Sequence, residues 1–352
     1  MLTGKTIVVT GGTGSLGKVL VRRLLAGEMG QPKKIIVFSR DEAKQHAMRL
    51  SYQRLKAATD EVIYRNFQNL LEFRIGDVRD FHSVAGAIKG ADVVFNAAAL
   101  KQVPACEYFP YQAVQTNIVG PKNIVRAIEE HKLPVEILVG VSTDKACKPV
   151  NVMGMTKAIQ ERIFLRANLD CPNTRIICVR YGNVLASRGS VVPLFHEQIR
   201  QGGPVTITTP EMTRFLLSLE DAVNTIFAAV KHAKRGETYI PRVPSARVVD
   251  IADVLIGNRR IETKIVGIRP GEKVHEILVS EEEASRTVER GNYYAIKPIL
   301  PELKDDSAEG PALTTEYSSA DNVMSKVELH ALLKKYNLLV ESEFGLGEEM
   351  AA

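Results

Sequence analysis

The chain is poor in cysteine. Cys106, Cys147, Cys171 and Cys178 are the four in 352 residues, and their spacing matches no metal-binding pattern. So sparse a set offers no cysteine metal site and fits a reduced, cytoplasmic protein. Long apolar runs are also missing. None reaches the ~18 residues that a membrane-spanning helix needs, so no membrane partner is expected. The start, Met1-Leu2-Thr3-Gly4-Lys5, leads straight into a β-branched segment, and no signal peptide is read there. Charge of neither sign dominates: 46 basic residues against 41 acidic ones leave a net +5. The Lys and Arg are scattered, which is no nucleic-acid signature, but a mild basic excess suits an anionic small ligand. There is no internal repeat and no low-complexity block. What remains is an ordinary globular composition, 45% hydrophobic and 25% charged, long enough for one large domain or two smaller ones.

The first half alternates short β-branched runs with amphipathic stretches. Strands are expected at 6–10, 34–38, 72–75, 92–96, 136–141 and 175–180, with helices between them. Such alternation predicts an α/β fold, a Rossmann-type doubly wound parallel sheet covered on both faces. Residues 48–69 read as a polar, helical excursion between the second and third strands. After Tyr181 the pattern becomes irregular, broken by Gly189, Pro193, Gly202, Gly203, Pro204 and Pro210. Helices are expected at 219–232, 249–255 and 326–336. Residues 1–180 thus form a dinucleotide-binding domain, with 215–240 packing back on it. Residues 181–214 and 241–300 form a smaller α/β lobe for the substrate. Residues 301–352 are read as a linker, mobile over 310–319, then a helix and a frayed tail from 341.

Directly after the first strand comes Gly11-Gly12-Thr13-Gly14-Ser15-Leu16-Gly17, which opens a helix. Gly11, Gly14 and Gly17 keep the G-x-x-G-x-x-G spacing. Small residues there let the backbone approach a pyrophosphate at a helix N-terminus, whose amides and dipole favour anions. The strand-before, helix-after position makes the motif specific. At the end of the second strand an NAD binder would place an Asp or Glu. This chain has Ser39 and Arg40, and Lys44 soon after. A hydroxyl and a guanidinium suit a 2′-phosphate, so NADP is the expected cofactor. Asp77 and Val78 follow the third strand where the adenine would lie. Ala97, Ala98 and Ala99 follow the fourth and leave room for the cofactor.

The run Ser142-Thr143-Asp144-Lys145-Ala146-Cys147-Lys148-Pro149-Val150-Asn151-Val152-Met153-Gly154-Met155-Thr156-Lys157 ends the fifth strand and starts a helix. A short-chain dehydrogenase carries a Tyr four residues before a Lys. Here Lys157 is present and Met153 takes the Tyr place. A thioether neither gives nor takes a proton, so alcohol oxidation by a Tyr base is closed. Asp144 and Lys145 remain as a candidate acid and base. That role requires the Asp pKa to be raised by burial or by a carboxylate neighbour, and the Lys pKa to be lowered by desolvation and by nearby Lys157.

Together with Phe38-Ser39-Arg40-Asp41-Glu42, Gly76-Asp77-Val78-Arg79-Asp80, Ala97-Ala98-Ala99-Leu100-Lys101-Gln102-Val103-Pro104, Arg180-Tyr181-Gly182-Asn183-Val184, Ser187-Arg188-Gly189-Ser190-Val191-Val192-Pro193, Met212-Thr213-Arg214-Phe215 and Arg269-Pro270-Gly271-Glu272-Lys273, these strings cover residues 1 to about 300 in order. They resemble the extended short-chain dehydrogenases that act on nucleotide sugars. More narrowly, they are similar to the soluble UDP-N-acetylglucosamine 4,6-dehydratases of bacterial surface-polysaccharide synthesis. Much of that family keeps the Tyr. A capsule-enzyme branch and several membrane-bound relatives have Met, and Cys106-Glu107 also resembles the capsule branch. The excursion before Asn69 is longer than in that pattern.

The resemblance implies a reaction. NADP+ takes a hydride from C4 of the sugar, a base removes the C5 proton, an acid protonates the departing C6 hydroxyl, and the hydride returns to C6. In the inverting branch the C5 proton returns on the opposite face, so the product is a UDP-4-keto-6-deoxy sugar epimerised at C5. Asp144 and Lys145 fit the acid and base, Ser142 or Thr143 the C4 oxygen, and Lys157 the nicotinamide ribose. Thr143, Lys157 or a water is left to accept the C4 proton, and Met153 reads equally as packing. Asn183 matches the family's substrate-contacting Asn. Arg188, Arg214, Arg269 and Lys273 would supply positive charge to the pyrophosphate, Glu272 would meet the ribose, and Lys101 and Glu107 would lie on a lid. The expected partner is UDP-N-acetylglucosamine or a related UDP-sugar, on a homo-oligomeric enzyme. A UDP-sugar 4-epimerase, a C5-retaining dehydratase and an inactive NADP-binding sensor stay open as alternatives.

Overall fold

The computed structural model describes residues 1–55, 57–185, 190–304 and 309–340, with 57–60 as backbone alone. Its six leading strands are β1 (Thr6–Thr10), β2 (Lys34–Ser39), β3 (Leu71–Ile75), β4 (Val93–Asn96), β5 (Ile137–Val141) and β6 (Arg175–Val179). All pair in parallel, in the order β3-β2-β1-β4-β5-β6. Near-continuous apolar runs suit strands buried on both faces, because successive side chains point to opposite sides. Ile7 and Val9 enter one core with Leu20, Leu24, Val139 and Ile226. Val8 enters the other with Ile124, Leu138, Phe164 and Ile176. The strand order reverses between β1 and β4, which opens a crevice at their carboxyl ends.

Three further strands extend the sheet beyond β6. Thr238–Pro241 pairs with it in parallel, and Tyr293–Ile296 and Thr287–Arg290 follow antiparallel. The last two come from within 241–300, the stretch read as substrate lobe. The helix Leu219–His232 packs on Ser15–Leu25, on one face of the sheet. A separate core joins Phe195, Val205, Ile207, Leu216, Ile251 and Leu255 to Leu329 and Leu333 of the helix Lys326–Lys335. Short ladders link Thr213–Phe215 to Ser245–Arg247 and Val205–Ile207 to Thr263–Ile265. The 48–69 excursion is two helices, Glu42–Gln53 and Ala57–Leu70, clasped by stacking of Tyr52 on Phe67 at 5.3 Å.

The stretch 310–319, read as a mobile linker, is anchored at its end. Tyr317–Ser318 pairs with Ile277–Val279, Tyr317 packs against Phe215 and Tyr294, and Ser319 is fully buried. The tail from 341 lies outside the described residues.

Candidate active site

The glycine turn is shaped for a dinucleotide. Gly11 has φ +66°, and a Cβ there would lie 2.7 Å from the Ala98 nitrogen. A Cβ on Gly17 would lie 2.5 Å from Gly12 Cα. The turn is therefore closed against both the 97–98 segment and the start of the helix Ser15–Leu25. Thr13 is buried and Leu16 half-buried, while Gly14 and Ser15 face outward. Gly14 caps the helix with no side chain, so the first-turn amides meet no competing cap. Ala97 and Ala98 are half-buried and Ala99 is exposed. The residues present fit a bound pyrophosphate.

At the ribose end, the Ser39 hydroxyl accepts from Gln45 Nε2 at 3.0 Å. The Arg40 side chain is 56% exposed and its guanidinium stands 3.9 Å from Asp77. Asp77 is gripped by Arg79 at 2.6 Å. Its carboxyl is pulled below the usual range by Arg79, and less by Arg40, against the opposing push of burial. Lys44 pairs with Asp41 at 2.8 Å, so the second charge expected at the ribose is already matched by a carboxylate. Val78 is buried, and its carbonyl accepts from Asn123.

The centre of the site lies just past β5. Thr143 caps a short turn, Asp144–Ala146. Asp144 is fully buried. Its Oδ1 accepts from the Thr143 hydroxyl at 2.8 Å and from Lys145 Nζ at 3.1 Å. Its Oδ2 has no hydrogen-bond partner among the described residues. Burial raises its pKa, Lys145 opposes, and Glu276 adds a further rise. This is the direction required of an acid. Lys145 departs from expectation. Burial would depress its pKa, but Asp144 and Glu276, the latter at 3.5 Å, outweigh that and raise it. Lys157 is not what acts on it: the cation beside it is Arg214.

Glu276 was not found from the sequence. It arrives from the strand edge at Ile277–Val279, buried, between Lys145 and Arg214. A carboxylate far along the chain from the Asp-Lys pair has no local spacing to betray it.

Lys157 is buried and donates to the Val141 carbonyl at 2.5 Å and to Gln160 at 2.7 Å. Burial brings its pKa down to about 8, against the pull of Glu161. Ser142 is turned away from the site: its hydroxyl donates to Glu161 at 2.5 Å, which leaves Thr143 as the hydroxyl beside Asp144. Met153 is buried with Cys106 and Ala113, and Leu100, Val103 and Val152 pack around them. Asn151 caps the Met153 helix and donates to the Gly271 carbonyl at 2.7 Å. Glu107 accepts from the Val152 amide at 2.7 Å, so its carboxylate holds the start of that helix. Lys101 is exposed on the preceding loop.

The basic substrate set is gathered only in part. Arg188 lies outside the described residues. Arg214 is turned inward, donating to the carbonyls of Thr213, Val274 and Lys273. Those carbonyls and Glu276, at 3.7 Å, hold the guanidinium expected to supply charge to the pyrophosphate. Lys273 donates to the Cys147 carbonyl at 2.5 Å. Arg269 is exposed, and Glu272 braces the same turn by accepting from the Arg269 amide at 3.4 Å. Asn183 Oδ1 is buried with no partner among the described residues, as an acceptor kept for a ligand would be.

Known proteins share this frame. A protein of Rickettsia canadensis named UDP-glucose 4-epimerase is 42% identical over 301 residues, 84% of each chain. Pen from Bacillus thuringiensis, known from an X-ray structure, is 32% identical with TM-score 0.84, covering 96% of this chain and 100% of that one. DesIV, the dTDP-glucose 4,6-dehydratase of Streptomyces venezuelae, was solved with NAD. It is alike in fold, at 20% identity and TM-score 0.62 over 76% of this chain and 86% of its own. A family described as polysaccharide biosynthesis protein matches residues 7–298. The chain carries the Rossmann-type fold seen in DesIV and belongs to that polysaccharide biosynthesis family.

Proposed function

We propose that the protein is an NADP-dependent UDP-N-acetylglucosamine 4,6-dehydratase that inverts C5. The observation that carries this reading is the buried Asp144–Lys145 pair beside the cofactor crevice, with a free Asp144 oxygen and no proton carrier at Met153. When bound, the nicotinamide supplies the hydride acceptor for C4 and the hydride donor for C6. The chain supplies the protons. Asp144, whose pKa burial raises, is the acid that gives a proton to the C6 hydroxyl, which leaves as water. Lys145, once it has lost its proton, takes the one on C5, gives it up to solvent, and delivers a solvent proton to C5 after the keto-sugar has turned its opposite face to it. Thr143 hydrogen-bonds the C4 oxygen, and the proton that oxygen loses on oxidation passes to Thr143, Lys157 or a water. Arg40 favours the 2′-phosphate of NADP, and Asn183 Oδ1 is offered to the sugar nucleotide.

A 4-epimerase is the second reading, favoured by the names of the 42% identical relatives. It would stop after C4 oxidation and would want a good C4 base, which Met153 denies it. An NMR time course of UDP-N-acetylglucosamine with the protein and NADP+ in D2O separates the two. The expected product is a 4-keto-6-deoxy sugar of arabino configuration with deuterium at C5. A C4 epimer would sink the dehydratase reading, and a xylo product the inverting assignment. Asp144→Asn and Lys145→Ala should each block loss of the C6 hydroxyl while NADP+ still binds.

A further inference from the structure

Two carboxylates, not one, face Lys145. Its ammonium sits 3.1 Å from Asp144 Oδ1 and 3.5 Å from Glu276 Oε1. Each carboxylate keeps its second oxygen buried without a hydrogen-bond partner among the described residues. Glu276 is only 3% exposed, and Arg214 Nε approaches it at 3.7 Å. Its backbone amide donates to Ser319 Oγ, and Ser319 Oγ also meets the Thr213 hydroxyl, so the carboxylate is delivered by a fixed framework. A buried carboxylate leaves water at a high cost and stays where cations repay it. Here they are Lys145, Arg214 and, further off, Lys273.

We infer that Glu276 is a positioning residue for the Asp144–Lys145 pair: it holds the Lys145 ammonium between two carboxylates and sets the charge state from which the pair acts. The electrostatics agree with the geometry. Burial would raise Glu276, but Lys145, Arg214 and Lys273 keep it ionised. Its charge in turn raises both Asp144 and Lys145. The charged groups that act on the pair are Glu276, Arg214 and Lys273. At Gly154 the first turn of the Met153 helix lies against the Lys145 carbonyl. A neutral side chain at 276 therefore lowers the titration of Asp144 and Lys145 together.

The test has one arm that needs no turnover. In the full chain as purified, labelled with 13C at lysine Cε, the Lys145 signal is assigned by its loss in Lys145→Arg and titrated. Glu276→Gln should move its midpoint to lower pH, and Glu276→Asp should leave it near the native value. An unmoved midpoint in Glu276→Gln, with native circular dichroism, overturns the inference. The second arm rests on the dehydratase reading: both limbs of the pH–rate profile should shift to lower pH in Glu276→Gln, and return in Glu276→Asp. A purely structural role would lower stability or turnover and leave both limbs in place, which also overturns it. If native protein yields no keto-deoxy sugar while the Lys145 midpoint still moves, the dehydratase reading falls and the role of Glu276 stands. Should Glu276→Gln fail to fold, Glu276→Ala decides by the same criterion: it too removes the charge at 276, its Lys145 midpoint should move to lower pH, and an unmoved midpoint overturns the inference.

Discussion

Met153 occupies the Tyr place as a packing residue, sealed against Cys106 and Ala113. No proton passes through it, so truncation should act on stability first. Met153→Ala is expected to cost about 2–5 kcal/mol and to leave dehydration measurable. Met153→Leu should cost less than about 1.5 kcal/mol. Chemical denaturation beside the product assay checks both, and a folded but wholly inactive Met153→Ala would show that the thioether positions the sugar. At the cofactor's far end, Arg40→Ala should weaken NADP binding by about 10- to 100-fold through loss of a charge-assisted hydrogen bond. NAD binding should hardly change. Equal losses for the two in a fluorescence titration would remove Arg40 from that role. Asp144, Lys145 and Lys157 are legible in the sequence because one contiguous run carries them past the fifth strand. The charge on Lys145 is not legible. It depends on Glu276, brought in by a distant strand, and two carboxylates reverse the effect of burial.

The start of the helix Val152–Asp170 is fixed by a glycine. A Cβ at Gly154 would run into the Lys145 carbonyl, so this turn can lie on the 144–146 turn only without a side chain. Gly154→Ala should push the helix and the Asp144–Lys145 turn apart. A displacement of about 1 Å in a catalytic group costs on the order of 10²-fold in rate. We expect that loss in kcat together with a lowered Tm. Gly86, exposed within the helix Phe81–Ile88 and with nothing near its Cβ position, is the control. Gly86→Ala should gain about 0.4–1 kcal/mol and keep full activity. A Gly154→Ala enzyme as active as that control would show the contact to be slack. The same contrast explains what could be read of the elements. β1 to β6 were expected within one residue at each end, because buried parallel strands are unbroken β-branched runs. Val205–Ile207, Thr213–Phe215 and Thr263–Ile265 have three residues each, too few for a periodicity to show. Thr287–Arg290 is a four-residue strand ending in Glu and Arg, and its sequence does not separate it from a loop.

Across the whole molecule, one buried ionic network ties the cofactor half to the C-terminal half. Arg180, at the end of β6, donates at 2.6 Å to Glu161 of the Met153 helix and at 2.7 Å to Glu283. It also donates to the Leu278 carbonyl at 2.8 Å. Glu283 serves its own helix as well, through a capping box with Ser280. Burial would raise the Glu283 carboxyl, but Arg180 and the capping hydrogen bonds bring it down to about 2 from 4.5. A carboxyl depressed in the folded state contributes stability that is fully present above the unfolded value of about 4.5. That stability is lost as pH falls toward about 2, and its size is on the order of 3 kcal/mol by the linkage relation. Urea midpoints measured from pH 6 to pH 2.5 should therefore fall along a slope to which Glu283 contributes. Glu283→Gln leaves the buried Arg180 with Glu161 as its remaining carboxylate and should cost about 1.5–3 kcal/mol at neutral pH. Its acid slope should be shallower, since one titrating group has gone. A Glu283→Gln protein with the native acid slope would place the acid sensitivity elsewhere in the molecule. Because Glu161 of the same network takes the Ser142 hydroxyl, the ion pairs that join the two halves also fix the strand end from which Thr143 and Asp144 reach the site.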